Sequence, residues 1–262
     1  MIVEFIGSTG AGKTTLMAEV QSRLAGVADV TISFDLCSPF RSDRITNRMA
    51  RNFVQEIAVL PVFLRTLRKN RAAVAFTLQM LKRQAAFSTF TINNLRGIER
   101  QIGVLEKVRR AAGDRIVLVD EGTVHLAHKV FVFSRALYAP DEIARFTDFI
   151  PLPDLLVYLK APVETLVRRT LERPDPPREI RKNRAMTAEY IRRAVATFEQ
   201  IVKVEKIQRR LLIVENPDLS SQELKHMADQ VAGFILDFRQ TGAISISESW
   251  KNNLPLERSL IN

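Results

Sequence analysis

Eight residues near the start of the chain, Gly7 to Thr14, match the pattern G-x-x-x-x-G-K-[ST] in full. Glycines in such a loop permit backbone angles that turn consecutive amide N–H groups toward one anion. Lys13 would reach the outer phosphates, and the Thr14 hydroxyl is an oxygen ligand of the kind that Mg²⁺ prefers. The loop therefore predicts a cradle for ATP with Mg²⁺, made of Gly7, Ser8, Thr9, Gly10, Ala11, Gly12, Lys13, Thr14 and Thr15.

The segments on either side give this loop its structural context. The apolar run Ile2–Ile6 is typical of a buried strand, and it ends directly at Gly7. Leu16, Val20 and Leu24 then recur at helical spacing. A helix that starts near Lys13 would add its partial positive N-terminus to the phosphate cradle.

An acidic pair, Asp120-Glu121, follows the apolar run at 116–119. Ligands of open parallel sheets collect beyond the carboxyl ends of strands, so Asp120 should face the phosphate loop. Its carboxylate can hold Mg²⁺ together with Thr14, or accept a proton from an attacking hydroxyl. Glu121 is open to three roles: a base, a residue that orients water in an ATPase, or a substrate contact. An ordinary acidic turn before Gly122 is the simpler alternative.

Arginines and prolines cluster further along, over about residues 173–184. We interpret this stretch as a lid, with Arg169, Arg173 and Arg178 as candidate catalytic residues. Phosphoryl transfer develops charge on the γ-phosphoryl oxygens, which an arginine delivered by a closing flap can stabilise. A solvated basic loop is the alternative.

Apolar runs alternate with helix-period segments along the chain, which favours a doubly wound α/β fold with a five-stranded parallel sheet. The strand candidates are 2–6, 30–34, 115–120, 154–159 and 210–214. A helical region of about 40–112 interrupts this alternation. It predicts the helices Asp43–Leu60, Val62–Thr89 and Thr91–Ala112, with Pro61 kinking or breaking the chain between the first two. We expect one domain over 1–240 and a tail over 241–262.

Composition restricts the kind of partner. The formal charge of +10 favours anionic ligands, although a basic surface alone explains it equally well. Cys37 is the single cysteine, which rules out an intramolecular disulfide. The chain begins without a leader pattern, and its most apolar stretch, 57–64, is too short to span a membrane. We therefore expect a cytoplasmic protein.

Four segments resemble the thymidylate kinase and deoxynucleoside kinase branch of the P-loop kinases. They are FIGSTGAGKTTL, IVLVDEG, LLVYLKAPVETLVRRTLER and LLIVENPDLS. The resemblance implies a P-loop NTPase core of five parallel strands, a lid over ATP and an acceptor site beneath the long helical region. It also implies that Lys13 binds phosphates and that Thr14 and Asp120 serve magnesium.

The acceptor motifs of that branch differ here. Its members carry Asp-Arg-Tyr or Glu-Arg-Ser where this chain has Asp120-Glu121-Gly122. The Arg-Glu-Pro of thymidylate kinases is also absent after the second strand, where Asp35 and Arg41 stand instead. We take Asp35, Arg41 and His125 as candidate substrate contacts, and the acceptor is not inherited from the family.

These features favour an ATP-dependent kinase, a phosphotransferase that acts on a hydroxyl or phosphate acceptor such as a nucleoside or nucleotide. A partner-coupled P-loop ATPase is the first alternative, because Asp120-Glu121 resembles a Walker B pair. A nucleotide-switched nucleic-acid-binding protein is the second, and weak interleaving of aromatic and basic residues disfavours it. The expected partner is a small-molecule acceptor, and the apolar faces of the long helices could pair two subunits in a homodimer.

Overall fold

A computed structural model describes residues 1–45, 47–83, 89–132, 138–173, 183–218 and 220–242. Its centre is a five-stranded sheet in the order β2-β3-β1-β4-β5, with every neighbouring pair parallel. This confirms the predicted doubly wound α/β class. The strands are β1 (Ile2–Ile6), β2 (Val30–Ile32), β3 (Ile116–Asp120), β4 (Leu155–Lys160) and β5 (Leu211–Glu215).

Helices connect the strands and cover both faces of the sheet. They are α1 (Lys13–Leu24), α2 (Ser33–Cys37), α3 (Arg48–Thr66), α4 (Arg71–Lys82), α5 (Thr89–Ala111), α6 (Pro140–Phe149), α7 (Val163–Glu172), α8 (Arg184–Ile201), α9 (Glu205–Gln208) and α10 (Ser221–Thr241). A 3₁₀ turn at Ser42–Arg44 and a π-helical turn at His128–Val132 complete the elements. Within the described ranges, none of the helices combines the length and apolar character that crossing a membrane requires.

Alternation along β1 assigns its side chains to two cores. Val3 and Phe5 pack with α1 and α10 on one face of the sheet. Ile6 packs on the other face, against the helical layer of α4 to α6. Glu4 lies on that second face and is a buried carboxyl among apolar neighbours, 1% exposed. Because β1 is flanked by β3 and β4, the loop that follows it opens at the middle of the sheet edge.

The predicted helix break at Pro61 is wrong: α3 runs through Pro61 to Thr66. A proline removes one hydrogen bond to the carbonyl four residues earlier. That carbonyl belongs to Ile57, a residue that is 57% exposed, so the lost hydrogen bond falls on the solvent side of the helix. The chain turns at 67–70 instead, where the Thr66 hydroxyl donates back to the Val62 and Phe63 carbonyls.

Other predicted boundaries also differ from the structure. The predicted second strand loses its last two residues to α2, which starts at Ser33. The single predicted helix 62–89 is replaced by the end of α3 and by α4, and α10 extends to Thr241. Residues 174–182 of the predicted lid, and 243–262 of the predicted tail, lie outside the described part of the chain.

Candidate active site

The phosphate loop is shaped by three glycines with positive φ: Gly7 at 142°, Gly10 at 83° and Gly12 at 88°. A Cβ at Gly7 would lie 2.5 Å from the Leu159 carbonyl oxygen, and one at Gly12 would lie 2.6 Å from Asn216 Nδ2. These positions therefore require glycine both for conformation and for space. The loop ends where α1 begins at Lys13, so the helix N-terminus faces the cradle.

Lys13 lies across the mouth of this loop. Its Nζ donates to the carbonyl oxygens of Gly7 at 2.9 Å and Ser8 at 3.0 Å. The Ser8 hydroxyl is buried and makes no hydrogen bond to any described residue. A crowded glycine backbone, a lysine at its mouth and a spare buried hydroxyl together fit the phosphates of ATP.

Thr14 and Asp120 meet beside the loop. The Thr14 hydroxyl donates to Asp120 Oδ2 at 3.0 Å. The sheet brings these two residues together. Asp120 is the last residue of β3 and pairs with Phe5 of β1, and Phe5 lies two residues before Gly7, where the phosphate loop begins. Two hard oxygens at this distance, next to a phosphate cradle, are the donor set that fits Mg²⁺.

Glu121 has a backbone conformation that sets it apart. Its φ of 59° is the one positive φ of a non-glycine residue in the described chain. Such a conformation costs roughly 1–2 kcal/mol and persists only where neighbouring groups hold it. One of them is Gln101 of α5, whose Nε2 donates to the Glu121 carbonyl oxygen at 2.8 Å.

A second support for this turn is Glu4. Its carboxylate accepts hydrogen bonds from the backbone N–H of His125 at 2.9 Å and of Val124 at 3.3 Å. A Cβ at Gly122 would lie 2.5 Å from Glu4 Cδ, so the glycine of Asp-Glu-Gly makes room for this buried carboxyl. Burial, with a small addition from the Asp120 charge, raises the pKa of Glu4 to about 7.

This raised pKa predicts a pH-dependent stability difference between the wild type and Glu4→Gln. The unfolded chain loses the Glu4 proton near its ordinary pKa of 4.5, whereas the folded chain holds it until about pH 7. The unfolded state therefore binds fewer protons in that window, and the wild type loses stability as pH rises from 4.5 to 7. We expect the wild type to lose about 3 kcal/mol relative to the variant.

Urea unfolding of both proteins at pH 5 and pH 8 measures this difference. Glutamine keeps the size of the side chain but does not titrate, so other ionisable groups cancel in the comparison. An equal stability difference at the two pH values would contradict the raised pKa.

His125 and His128 lie below the turn with their rings stacked 5.2 Å apart. They are 6% and 5% exposed. Burial and the charge of Lys13 lower the pKa of His128 to about 3 and hold the pKa of His125 well below its usual range. Both imidazoles are therefore neutral at pH 7. The Nδ1 of His125 is buried without a hydrogen-bond partner in the described structure, and its contact with substrate stays a prediction.

The predicted lid arginines occupy different places. Arg169 of α7 donates to the Pro217 carbonyl oxygen at 2.6 Å and, at 3.4 Å, to the Gly10 carbonyl oxygen of the phosphate loop. It also pairs with Asp218 at 3.2 Å. Arg173 follows the last residue of α7, and Arg178 lies outside the described residues. In this structure Arg169 braces the outer side of the phosphate loop.

Asn216 is a supporting residue that the sequence patterns did not single out. It is 5% exposed, and its Nδ2 donates to the Ala11 carbonyl oxygen of the loop at 2.7 Å. The Thr170 hydroxyl donates to the neighbouring Thr9 carbonyl oxygen at 3.5 Å. An asparagine between the last strand and Pro217 is the available signal, but it also fits an ordinary turn.

The two candidate substrate contacts that follow β2, Asp35 and Arg41, bind different partners. Asp35 accepts hydrogen bonds from Ser42 through both carboxylate oxygens, from the backbone N–H at 2.5 Å and the hydroxyl at 3.2 Å. Arg41 pairs with Asp43 at 3.6 Å, and both of these side chains are largely exposed. Asp35 therefore shapes the 3₁₀ turn, and a substrate role for either residue stays a prediction.

No known family model and no curated protein sequence matches the chain. Similar solved structures include a thymidylate kinase from Ehrlichia chaffeensis, 13% identical with a TM-score of 0.47, covering 90% of this chain and 98% of that one. Two structures of a deoxyadenosine kinase from M. mycoides cover 90% of this chain and all of their own. One, with dCMP and dCDP, is 13% identical with a TM-score of 0.46. The other, with dATP, is 15% identical with a TM-score of 0.48.

These are the two enzyme types that the sequence motifs resemble.

Proposed function

We propose that this protein is an ATP-dependent phosphotransferase that moves the γ-phosphoryl group of ATP to a small-molecule acceptor. The observation that carries the proposal is the hydrogen bond of 3.0 Å between Thr14 and Asp120, directly beside a complete phosphate loop. These elements together supply the phosphate cradle and the hard oxygen ligands that phosphoryl transfer needs.

Each residue of the loop has a distinct task in this proposal. The backbone amides between Gly7 and Thr14 bind phosphate oxygens, and the α1 N-terminus favours their negative charge. Lys13 leaves the Gly7 and Ser8 carbonyls and neutralises charge on the outer phosphates. Thr14 and Asp120 would hold Mg²⁺, which would neutralise negative charge on the phosphates. Asn216 and Arg169 keep the loop carbonyls turned outward, which leaves the amides turned inward.

The acceptor side of the site lies beyond Asp120 and Glu121. Gln101 of α5 and Glu4 of β1 hold the backbone of this turn from two directions, so the turn is formed before substrate arrives. Pre-positioned groups lower the entropic cost of aligning an acceptor with the γ-phosphoryl group. Either carboxylate can accept the proton of an acceptor hydroxyl, and a nucleoside or nucleotide is our first candidate for that acceptor.

The arginine-rich stretch completes the proposal. Arg173 stands where the described chain leaves α7, and Arg178 follows within the predicted lid. We propose Arg173 and Arg178 as the arginines that stabilise the charge developing on the γ-phosphoryl oxygens.

An acceptor panel tests this function. Nucleosides, nucleoside monophosphates, sugars and amino alcohols are each mixed with ATP and Mg²⁺, and ADP release is followed. We expect at least one class to raise the rate of ADP release well above the rate with ATP alone. Rapid ADP release that no acceptor changes would contradict the proposal.

A partner-coupled ATPase is the alternative that one observation favours. Glu121 directly follows Asp120, the proposed metal ligand, which is the place of a residue that orients attacking water in an ATPase. Glu121→Gln separates the two functions. In a kinase it should lower kcat/KM for the acceptor while leaving KM for ATP nearly unchanged. In an ATPase it should lower acceptor-independent hydrolysis by about 100-fold.

A further inference from the structure

One face of α5 is polar although it is buried. Asn94 and Gln101 lie seven residues apart, so two helical turns bring their side chains to this same face. They are 5% and 2% exposed. Among the described residues, neither the Asn94 Nδ2 nor the Gln101 Oε1 has a hydrogen-bond partner. Buried polar atoms of this kind are costly to leave unpaired, so both are suited to a polar ligand.

This polar face is directed at the acidic turn after β3. The Nε2 of Gln101 donates to the Glu121 carbonyl oxygen in that turn at 2.8 Å. On the opposite side of α5, Arg96 pairs with Glu56 of α3 at 2.7 and 2.9 Å. Contacts on both sides fix the rotation of α5. Asn94 is therefore held on the acceptor side of the helix, about 10 Å along its axis from Gln101.

Gly97 lies on the same face and makes room for the side chain of Lys129. A Cβ at Gly97 would overlap the Lys129 ammonium group and would lie 3.0 Å from Lys129 Cδ. Glycine in the interior of a helix is destabilising relative to alanine, so this position exchanges helix propensity for space. Lys129 belongs to the π-helical turn that follows β3. Its ammonium group thus lies about 6 Å along α5 from the point where Gln101 contacts the acidic turn.

Lys129 brings a partly shielded positive charge to the acceptor side, because the residue is half-buried. The pKa values of the buried His125 and His128 are lowered by burial first and by the Lys13 charge next, and the Lys129 charge lowers both further. The field of Lys129 therefore reaches the two rings that lie below the acidic turn. An ammonium group that is partly shielded from water attracts an anion more strongly than one on an open surface.

The charge on the acceptor side changes sign along α5. At the end beside the phosphate loop, the acidic turn carries the carboxylates of Asp120 and Glu121. Lys129 supplies a positive charge at the other end. Like charges placed together are unfavourable, so the acidic end favours an uncharged hydroxyl over a phosphate. The basic end favours a carboxylate or a phosphate, which a lysine binds as a point charge.

We propose that Lys129 and Asn94 bind an anionic group of the acceptor that is not its reacting group. The acceptor is then a small molecule with a reacting hydroxyl at one end and a carboxylate or phosphate at the other. Gln101 Oε1 accepts a hydrogen bond from a further hydroxyl between the two ends. Sugar acids, sugar phosphates and nucleoside 3′-monophosphates belong to this class.

This inference rests on the proposed phosphotransfer and names the class of its acceptor. In the transfer, the reacting hydroxyl oxygen bonds to the γ-phosphorus of ATP. The bond from that phosphorus to the oxygen that bridges it to the β-phosphate breaks, and ADP leaves with the bridging oxygen. The hydroxyl proton moves to a carboxylate of the acidic turn, Asp120 or Glu121. The anionic group takes no part in bond making and only orients the acceptor.

Matched pairs of acceptors test this class with the wild-type chain. Glucose 6-phosphate and gluconate are each compared with glucose, and nucleoside 3′-monophosphates with their nucleosides, by ADP release from ATP with Mg²⁺. In at least one pair the anionic member should have a kcat/KM about 10–100-fold above that of its neutral parent, mainly through a lower KM.

A neutral parent that matches its anionic counterpart in every pair would overturn this inference and leave phosphotransfer standing. The same holds for a nucleoside 5′-monophosphate that reacts at its phosphate and has the highest kcat/KM of the panel. ADP release that no acceptor changes would contradict phosphotransfer itself, and this inference with it.

Lys129→Met removes the charge and keeps an unbranched side chain. For the preferred anionic acceptor it should raise KM by about 10–100-fold, the usual strength of a hydrogen bond to a charged group, and leave kcat and the KM for ATP nearly unchanged. For the neutral parent it should change little. Lys203→Met, at an exposed lysine after α8, is the matched control and should behave as the wild type. Equal losses for the anionic and the neutral acceptor would overturn the assignment of Lys129.

Gly97→Ala tests the same placement without removing a charge. The added methyl group would displace the flexible end of Lys129, whereas alanine favours the helix, so the variant should unfold at a temperature no lower than the wild type. It should lose most of the preference for the anionic acceptor. A folded Gly97→Ala that keeps the full preference would overturn the proposed contact between Lys129 and the acceptor.

Discussion

Replacement of Lys13 by alanine should lower kcat/KM for ATP by about 10²–10³-fold, the usual effect of removing one donor to developing charge. In the structure Lys13 Nζ has the Gly7 and Ser8 carbonyls within 3.0 Å, so it already lies at the mouth of the cradle. Alanine removes the charge that the outer phosphates require while leaving the loop backbone intact. Initial rates at varied ATP concentration measure the effect.

Thermal unfolding separates this loss of function from a loss of fold. Without nucleotide, Lys13→Ala and the wild type should unfold within a few degrees of each other. With ATP and Mg²⁺ at 100 times its Kd, the wild type should gain about 2.7 kcal/mol, and the variant should gain much less. Lys203→Ala, an exposed lysine after α8, is the matched control and should behave as the wild type. Normal turnover by Lys13→Ala would contradict the assignment of the cradle.

Asp120→Asn should produce the second large effect, a fall in kcat of about 10²–10³-fold together with a higher Mg²⁺ requirement. Asparagine keeps the size of the side chain and an oxygen for the Thr14 hydroxyl, which donates to Asp120 Oδ2 at 3.0 Å. It removes the negative charge that a divalent cation needs. Activity measured across a range of free Mg²⁺ concentrations tests both parts.

Two variants serve as controls for Asp120→Asn. Asp114→Asn makes the same chemical change in the loop before the opposite end of β3, so its activity and Mg²⁺ requirement should match the wild type. Thr14→Ser keeps the hydroxyl and should retain most of the activity. An unchanged Mg²⁺ requirement in Asp120→Asn would remove Asp120 from the metal site.

The sheet could be predicted from the sequence because local pattern determines much of it. Each strand is a short apolar run, and a parallel sheet that is covered on both faces requires such runs. The helix through Pro61 could not be predicted from the same kind of pattern. A helix can continue through a proline when tertiary packing compensates for the lost hydrogen bond and the clash of the ring, and local sequence does not report that packing.

The candidate site also has one part that the sequence predicts and another that it does not. The phosphate loop is contiguous in sequence, so its motif identifies it directly. Glu4 and Asn216 act on groups 121 and 205 residues away, and no local pattern reports such pairs. The arginines of α7 indicate positive charge near the site. The sequence does not identify the groups that these arginines contact. Arg169 contacts loop carbonyls, which only the packing of α7 against the phosphate loop reveals.

The fate of the γ-phosphoryl group is the most direct measurement. The protein is incubated with ATP labelled in the γ-phosphate, Mg²⁺ and a mixed acceptor pool, and the labelled products are separated. Phosphotransfer predicts that most of the label appears in an organic product and that Lys13→Ala slows this transfer by about 10²–10³-fold. Label that appears only as inorganic phosphate, at the same rate with and without acceptors, would contradict it.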